Sequence, residues 1–167
     1  MIDDAPHLLR LQQQRARAWK NGMGVSWVIA AEPEGSATAA SDWEFSRAAI
    51  IRDAPLDIHP GQSGWLTLIQ GEGGALCFSD GRAVMLRQPF MPLAYDCDPG
   101  LHWKPASGAS TVLHLRFRED RIRVDLAVLA ATAEAPAEPG DSLIAHRRVI
   151  VRLDQTRMLR LSLWARG

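Results

Sequence analysis

Turn-forming residues cut this chain into short runs of alternating or β-branched apolar residues, and no run repeats its apolar positions at the spacing of an amphipathic helix. A chain punctuated in this way buries its apolar side chains by stacking antiparallel strands, so the expected fold is all-β, a sandwich or barrel. Residues 25–31 read as a strand closed by Glu32-Pro33-Glu34-Gly35. Residues 43–52 read as the next, with Trp43, Phe45, Arg47, Ala49 and Ile51 on one face and Glu44, Ser46, Ala48 and Ile50 on the other. After Pro55 and the turn His59-Pro60-Gly61, residues 65–70 make a third. Asp80-Gly81, flanked by residues 75–79 and 82–87, is the strongest hairpin signal. Residues 111–118 alternate cleanly, with Leu113, Leu115 and Phe117 opposite His114, Arg116 and Arg118, and residues 121–129 are expected to pair with them across Glu119-Asp120. The Ala, Pro and Glu of residues 130–140 read as a connector, followed by two strands at 146–153 and 157–164. The division this predicts is a first β unit over 1–130 and a short C-terminal β lobe over 131–167 packing on it.

A chain of 167 residues needs no covalent staples, and its two cysteines, Cys77 and Cys97, read as buried free thiols. Asp3 and Asp4 stand where a secretory leader would be basic, and no run has the length of a membrane span, so a cytoplasmic protein with no membrane partner is expected. Net charge is zero, and Arg116, Arg118, Arg121 and Arg123 bracket Glu119-Asp120 as at a solvated hairpin end, which argues against a nucleic-acid partner. His59, His102, His114 and His146 are scattered, none two residues from another, and the common nucleotide, phosphate, hydrolase and metalloprotease motifs are absent, so neither a metal nor a cofactor is expected.

Candidate site residues gather at aromatic-rich turns. Trp19-Lys20-Asn21-Gly22-Met23-Gly24-Val25-Ser26 compresses an aromatic, a cation, an amide and two glycines just before a strand. It reads either as a tight turn introducing that strand or as the rim of a pocket. Aromatic side chains with a few polar companions commonly line small-molecule pockets, which selects Trp19, Lys20, Asn21, Glu44 and His59, with Arg47 if its face of the strand points inward.

The same stretch resembles the Trp-(Lys/Arg)-Asn-Gly-Gly-Gly-x-Thr-Arg-Glu-Ile signature of the HutD/Ves family of cupin-like proteins. Trp43 through His59-Pro60-Gly61 to Leu66-Thr67-Leu68-Ile69-Gln70-Gly71 resembles the family's following block, and Gln88-Pro89-Phe90 its Gln/Glu-Pro-Phe. The departures fall on polar positions: Met23, Val28, Glu44 in place of an arginine, Ser63-Gly64 in place of an acid-arginine pair, and Val112 and His114. The resemblance implies a cupin-like β-sandwich or barrel with a reduced second cupin-type lobe. It further implies a metal-independent protein that binds a small acidic metabolite, such as urocanate or a formylated glutamate, in an accessory or regulatory role in histidine utilisation. The ligand-binding set is then Trp19, Lys20, Asn21, Glu44, His59 and His114, and strand edges left by the shortened C-terminal half imply a homodimer. The alternative is a metal-free cupin-type isomerase, lyase or hydrolase with His59 or His114 as base and Glu44 as its partner.

Overall fold

The computed structural model describes residues 5–167, so the Asp3-Asp4 pair lies outside the described residues. The chain is all-β with antiparallel pairing throughout, and it divides into two compact units. One unit spans residues 15–120; the other joins residues 5–14 to 121–167. The boundary therefore falls at Asp120, where the sequence pattern placed it after residue 130, and the N-terminal strand belongs with the C-terminal unit.

Unit 15–120 contains two sheets. The larger has six strands, in the order β2 (Ala16–Ala18), β3 (Gly24–Glu32), β4 (Trp43–Ile50), β11 (Ser110–Arg118), β6 (Gln62–Gln70) and β9 (Leu93–Tyr95). The smaller has four: β5 (Ala54–Pro55), β10 (His102–Pro105), β7 (Gly74–Cys77) and β8 (Ala83–Leu86). Alternation explains how they meet. Ala48 and Ile50 of β4, Leu66 and Leu68 of β6 and Val112 of β11 join Leu76, Leu86 and Trp103 of the smaller sheet in one buried core. β7 and β8 form the hairpin expected at Asp80-Gly81: Cys77 pairs with Ala83, Gly81 takes a φ of +91°, and Asp80 accepts the Arg82 amide at 2.9 Å.

The other unit is a single sheet in the order β1 (His7–Leu9), β13 (Ser142–Ala145), β14 (Arg148–Arg152), β15 (Arg157–Ala165) and β12 (Ile122–Ala130). β12 pairs with β15 along its whole length, so the hairpin expected between β11 and β12 does not form; β11 is taken up on both sides by β4 and β6. Alternation identifies which face a strand buries but not which strand lies beside it. Val149, Ile150 and Val151 of β14 are buried in succession, as are Leu159, Leu161 and Leu163 on one face of β15. No helix among the described residues is long and apolar enough to cross a membrane.

Candidate functional site

The face of the six-stranded sheet that carries the core turns polar toward one end. Along β4 the side chains sharing this face are Ile50, Ala48, Ser46 and Glu44; on β11 their cross-strand partners are Ser110, Val112, His114 and Arg116. On β6, Leu68 and Leu66 give way to Gly64, which pairs with Arg116 on one side and Tyr95 on the other. The strands that build the core thus also bring a carboxylate, a guanidinium, an imidazole and a phenol together in one unit.

Glu44 is 1% exposed, and three donors satisfy its carboxylate. Oε1 accepts Nη2 of Arg116 at 2.8 Å and Nη2 of Arg17 at 2.9 Å, and Oε2 accepts the Thr38 hydroxyl at 3.1 Å. Arg116 also donates from Nη1 to the Asp57 carbonyl at 3.3 Å, while its Nε is buried and has no hydrogen-bond partner among the described residues. Gln62 ties the surrounding loops together, donating from Nε2 to the Thr38 carbonyl at 3.0 Å and accepting the His59 amide at 3.3 Å.

Next to this cluster, His114 Nε2 and the Tyr95 hydroxyl share a hydrogen bond of 2.5 Å. Burial, followed by the positive charge of Arg116, pushes the His114 pKa well below the usual imidazole range, so the ring is neutral. Burial raises the Tyr95 pKa, which keeps the phenol protonated. Gly64 makes this pair possible, because a Cβ there would collide with the Tyr95 hydroxyl and with the Leu115 carbonyl. The ring of Tyr95 therefore occupies the space over Gly64.

Of the residues selected from sequence, Glu44 and His114 meet in this region, and His59 lies half-buried at its edge, with Nε2 3.6 Å from the exposed Asp57 carboxylate. The His–Glu44 pairing of the enzymatic alternative does not form: His114 is bonded to Tyr95, and Glu44 to Arg17, Arg116 and Thr38. Trp19, Lys20 and Asn21 stand elsewhere. Their loop joins β2 to β3 at the Ile50 end of β4, roughly 20 Å along the strand from Glu44. There the Trp19 indole donates to the Ser26 hydroxyl at 2.8 Å and lies against Gly24, where a Cβ would come within 2.9 Å of the ring. Asn21 accepts the Met23 amide at 2.9 Å, Gly22 supplies a φ of +73°, and Lys20 is exposed. Trp19, Asn21, Gly22 and Gly24 thus each have a turn-building role. Arg47 is on the opposite face of β4, its guanidinium 4.2 Å from the centre of the Trp27 ring.

Sequence reasoning did not select Arg17, Thr38, Tyr95 or Arg116. Arg116 carried a readable signal, since it alternates with His114 on one face of its strand. Among the described residues no three His, Cys, Asp or Glu side chains stand together in a way that could hold a metal ion.

The fold and this cluster define an antiparallel β protein with a buried arginine–carboxylate site. The HutD family profile matches residues 11–158, and the chain belongs to that family. No curated protein matches it. HutD from Pseudomonas fluorescens SBW25, in a formate condition, is similar over 98% of this chain and 100% of its own, with 20% identity and a TM-score of 0.79. A conserved protein of unknown function from Pseudomonas aeruginosa PAO1, PA5104, is similar over 98% and 100%, with 18% identity and a TM-score of 0.78. HppE with iron(II) is similar over 70% of this chain and 63% of its own, at 11% identity and a TM-score of 0.51.

Proposed function

We propose that this protein binds a small acidic metabolite at the polar end of unit 15–120 and serves as an accessory or regulatory protein in histidine utilisation. The observation that carries the reading is Arg116. Its guanidinium is one of two on a single carboxylate, which leaves the cluster with a net positive charge, and its buried Nε lacks an acceptor. An unpaired buried donor of this kind costs about 1–3 kcal/mol, a deficit that a ligand oxygen removes. His114 adds a neutral imidazole beside it. Membership of the HutD family supports urocanate or a formylated glutamate as the ligand class, and the formate condition of the Pseudomonas fluorescens structure makes formate the smallest probe to include. Calorimetric titration with these three acids tests the reading. At least one is expected to bind, with affinity reduced about tenfold or more in Arg116→Lys, whose ammonium does not reproduce the planar fork. Absence of binding by all three removes this ligand class.

A second reading, a metal-free isomerase, lyase or hydrolase, is favoured by the neutral His114 held against Tyr95, a group able to accept a proton. It predicts slow turnover of a bound acid that His114→Gln abolishes, and a bound acid left unchanged in its NMR spectrum after prolonged incubation excludes it.

A further inference from the structure

A buried carboxylate held by two guanidiniums and a hydroxyl is the arrangement expected of a bound acid, yet here the acid belongs to the chain. The donors come from three elements other than the strand that supplies it: Arg17 from β2, Thr38 from the short 3-10 helix Thr38–Ala40 before β4, and Arg116 from β11. Contacts independent of Glu44 also hold them in place. Arg116 is anchored on the Asp57 carbonyl at 3.3 Å, Arg17 donates to the Thr38 hydroxyl at 3.2 Å, and the Thr38 carbonyl accepts Gln62 at 3.0 Å. The seat and its occupant are therefore separable parts. Arg17, with its side chain 43% exposed, forms the outer wall of the seat, while Arg116, at 10%, forms the inner one.

We propose that Arg17, Thr38 and Arg116 form a carboxylate-binding seat that this chain fills from within, and that Glu44 is its internal ligand. Glu44 then determines which acids the protein accepts. A diffusible carboxylate must displace it or bind elsewhere on Arg116, so simple monocarboxylates are excluded from the seat. This inference does not rest on the metabolite-binding reading: it concerns a seat already occupied, and it is tested on a variant with a probe unrelated to any pathway.

Truncating Glu44 to alanine removes Cγ, Cδ and both oxygens, which are the four heavy atoms of acetate. Thermal unfolding of Glu44→Ala in sodium acetate, compared with sodium chloride of equal ionic strength and with acetamide, reads the seat directly. In acetate the variant is expected to gain about 5 °C or more in a saturable manner, while chloride and acetamide leave it unchanged and the wild type responds alike to both salts. Glu44→Ala/Arg116→Met is expected to lose the response. Coincident acetate and chloride curves for Glu44→Ala, an equal acetate gain in the wild type, or a response that survives in the double variant each overturns the proposal. If Glu44→Ala does not fold in chloride, refolding yield is the measure: a yield that depends on acetate supports the seat, and one indifferent to acetate refutes it. Wild type that binds no pathway acid beside a Glu44→Ala that responds to acetate would sink only the function proposed above; the converse would sink only the seat.

Discussion

Glu44 and Arg116 are both buried and face each other across β4 and β11. Taking either out of water costs several kcal/mol, and their 2.8 Å contact offsets that cost only while both are present. Arg116→Met leaves Glu44 with Thr38 and the half-exposed Arg17, and is expected to destabilise the fold by about 3–5 kcal/mol, whereas Arg116→Met/Glu44→Met recovers most of the loss. Urea denaturation of the two single variants and the double variant measures this coupling, and additive losses would contradict it. His114 supplies a second test at this scale. Its folded pKa lies well below the value near 6.5 that it has when unfolded, so between these two values the unfolded state binds the extra proton. The contribution is complete above about pH 6.5 and is lost as pH falls toward the folded pKa, with a slope of up to about 1.4 kcal/mol per pH unit. His114→Gln is expected to flatten that part of the stability profile, and an unchanged slope would mean that another group titrates there. Half of this cluster was legible in the sequence. The alternation of residues 43–50 and 111–118 puts Glu44 on one face with Ala48 and Ile50, and His114 with Arg116 on one face of their strand, but nothing local says that Arg17, from an edge strand, reaches Glu44, or that Tyr95 fills the space above Gly64.

At the scale of elements, β6, β9 and β11 depend on one another through the missing side chain of Gly64. Its neighbours are the carbonyl of Leu115 on β11 and the ring of Tyr95 on β9, so a methyl group there meets backbone on one side and an aromatic ring on the other. Neither can yield without moving a strand. Gly64→Ala is expected to cost about 2 kcal/mol or more and to separate Tyr95 from His114, readable as a rise of the imidazole pKa toward its ordinary value by NMR titration. A variant with wild-type stability and an unshifted imidazole would show that β9 adapts freely. This scale also shows where sequence reading stops. The Asp80-Gly81 hairpin is legible because its turn and both strands are contiguous, and the faces of β4 and β11 because side-chain direction alternates locally. The partners of β12 and β1 are not, since each pairs with a strand distant in sequence, β15 and β13. The unit boundary follows from those pairings and so shifts with them.

For the whole molecule, the question is how a site confined to residues 15–120 registers in the stability of a 167-residue chain built of two units. A ligand that binds only the folded form at a hundredfold its dissociation constant adds about 2.7 kcal/mol, and for a chain of this length each kcal/mol raises Tm by roughly 2–4 °C. Saturation with a pathway acid is therefore expected to raise the transition of unit 15–120 by about 5–10 °C. If calorimetry resolves two transitions, only the one containing the Trp43, Trp65 and Trp103 fluorescence change moves, because these tryptophans lie in that unit and Trp164 does not. The same titration on Glu44→Ala separates the two ways an acid could be held. An acid that takes Glu44's seat stabilises the variant more than the wild type, since it no longer competes with an internal carboxylate. An acid held by the buried, unpaired Nε of Arg116 stabilises both to a similar degree, and a shift confined to the wild type would mean that Glu44 itself contacts the ligand, leaving no room for its role as an internal competitor.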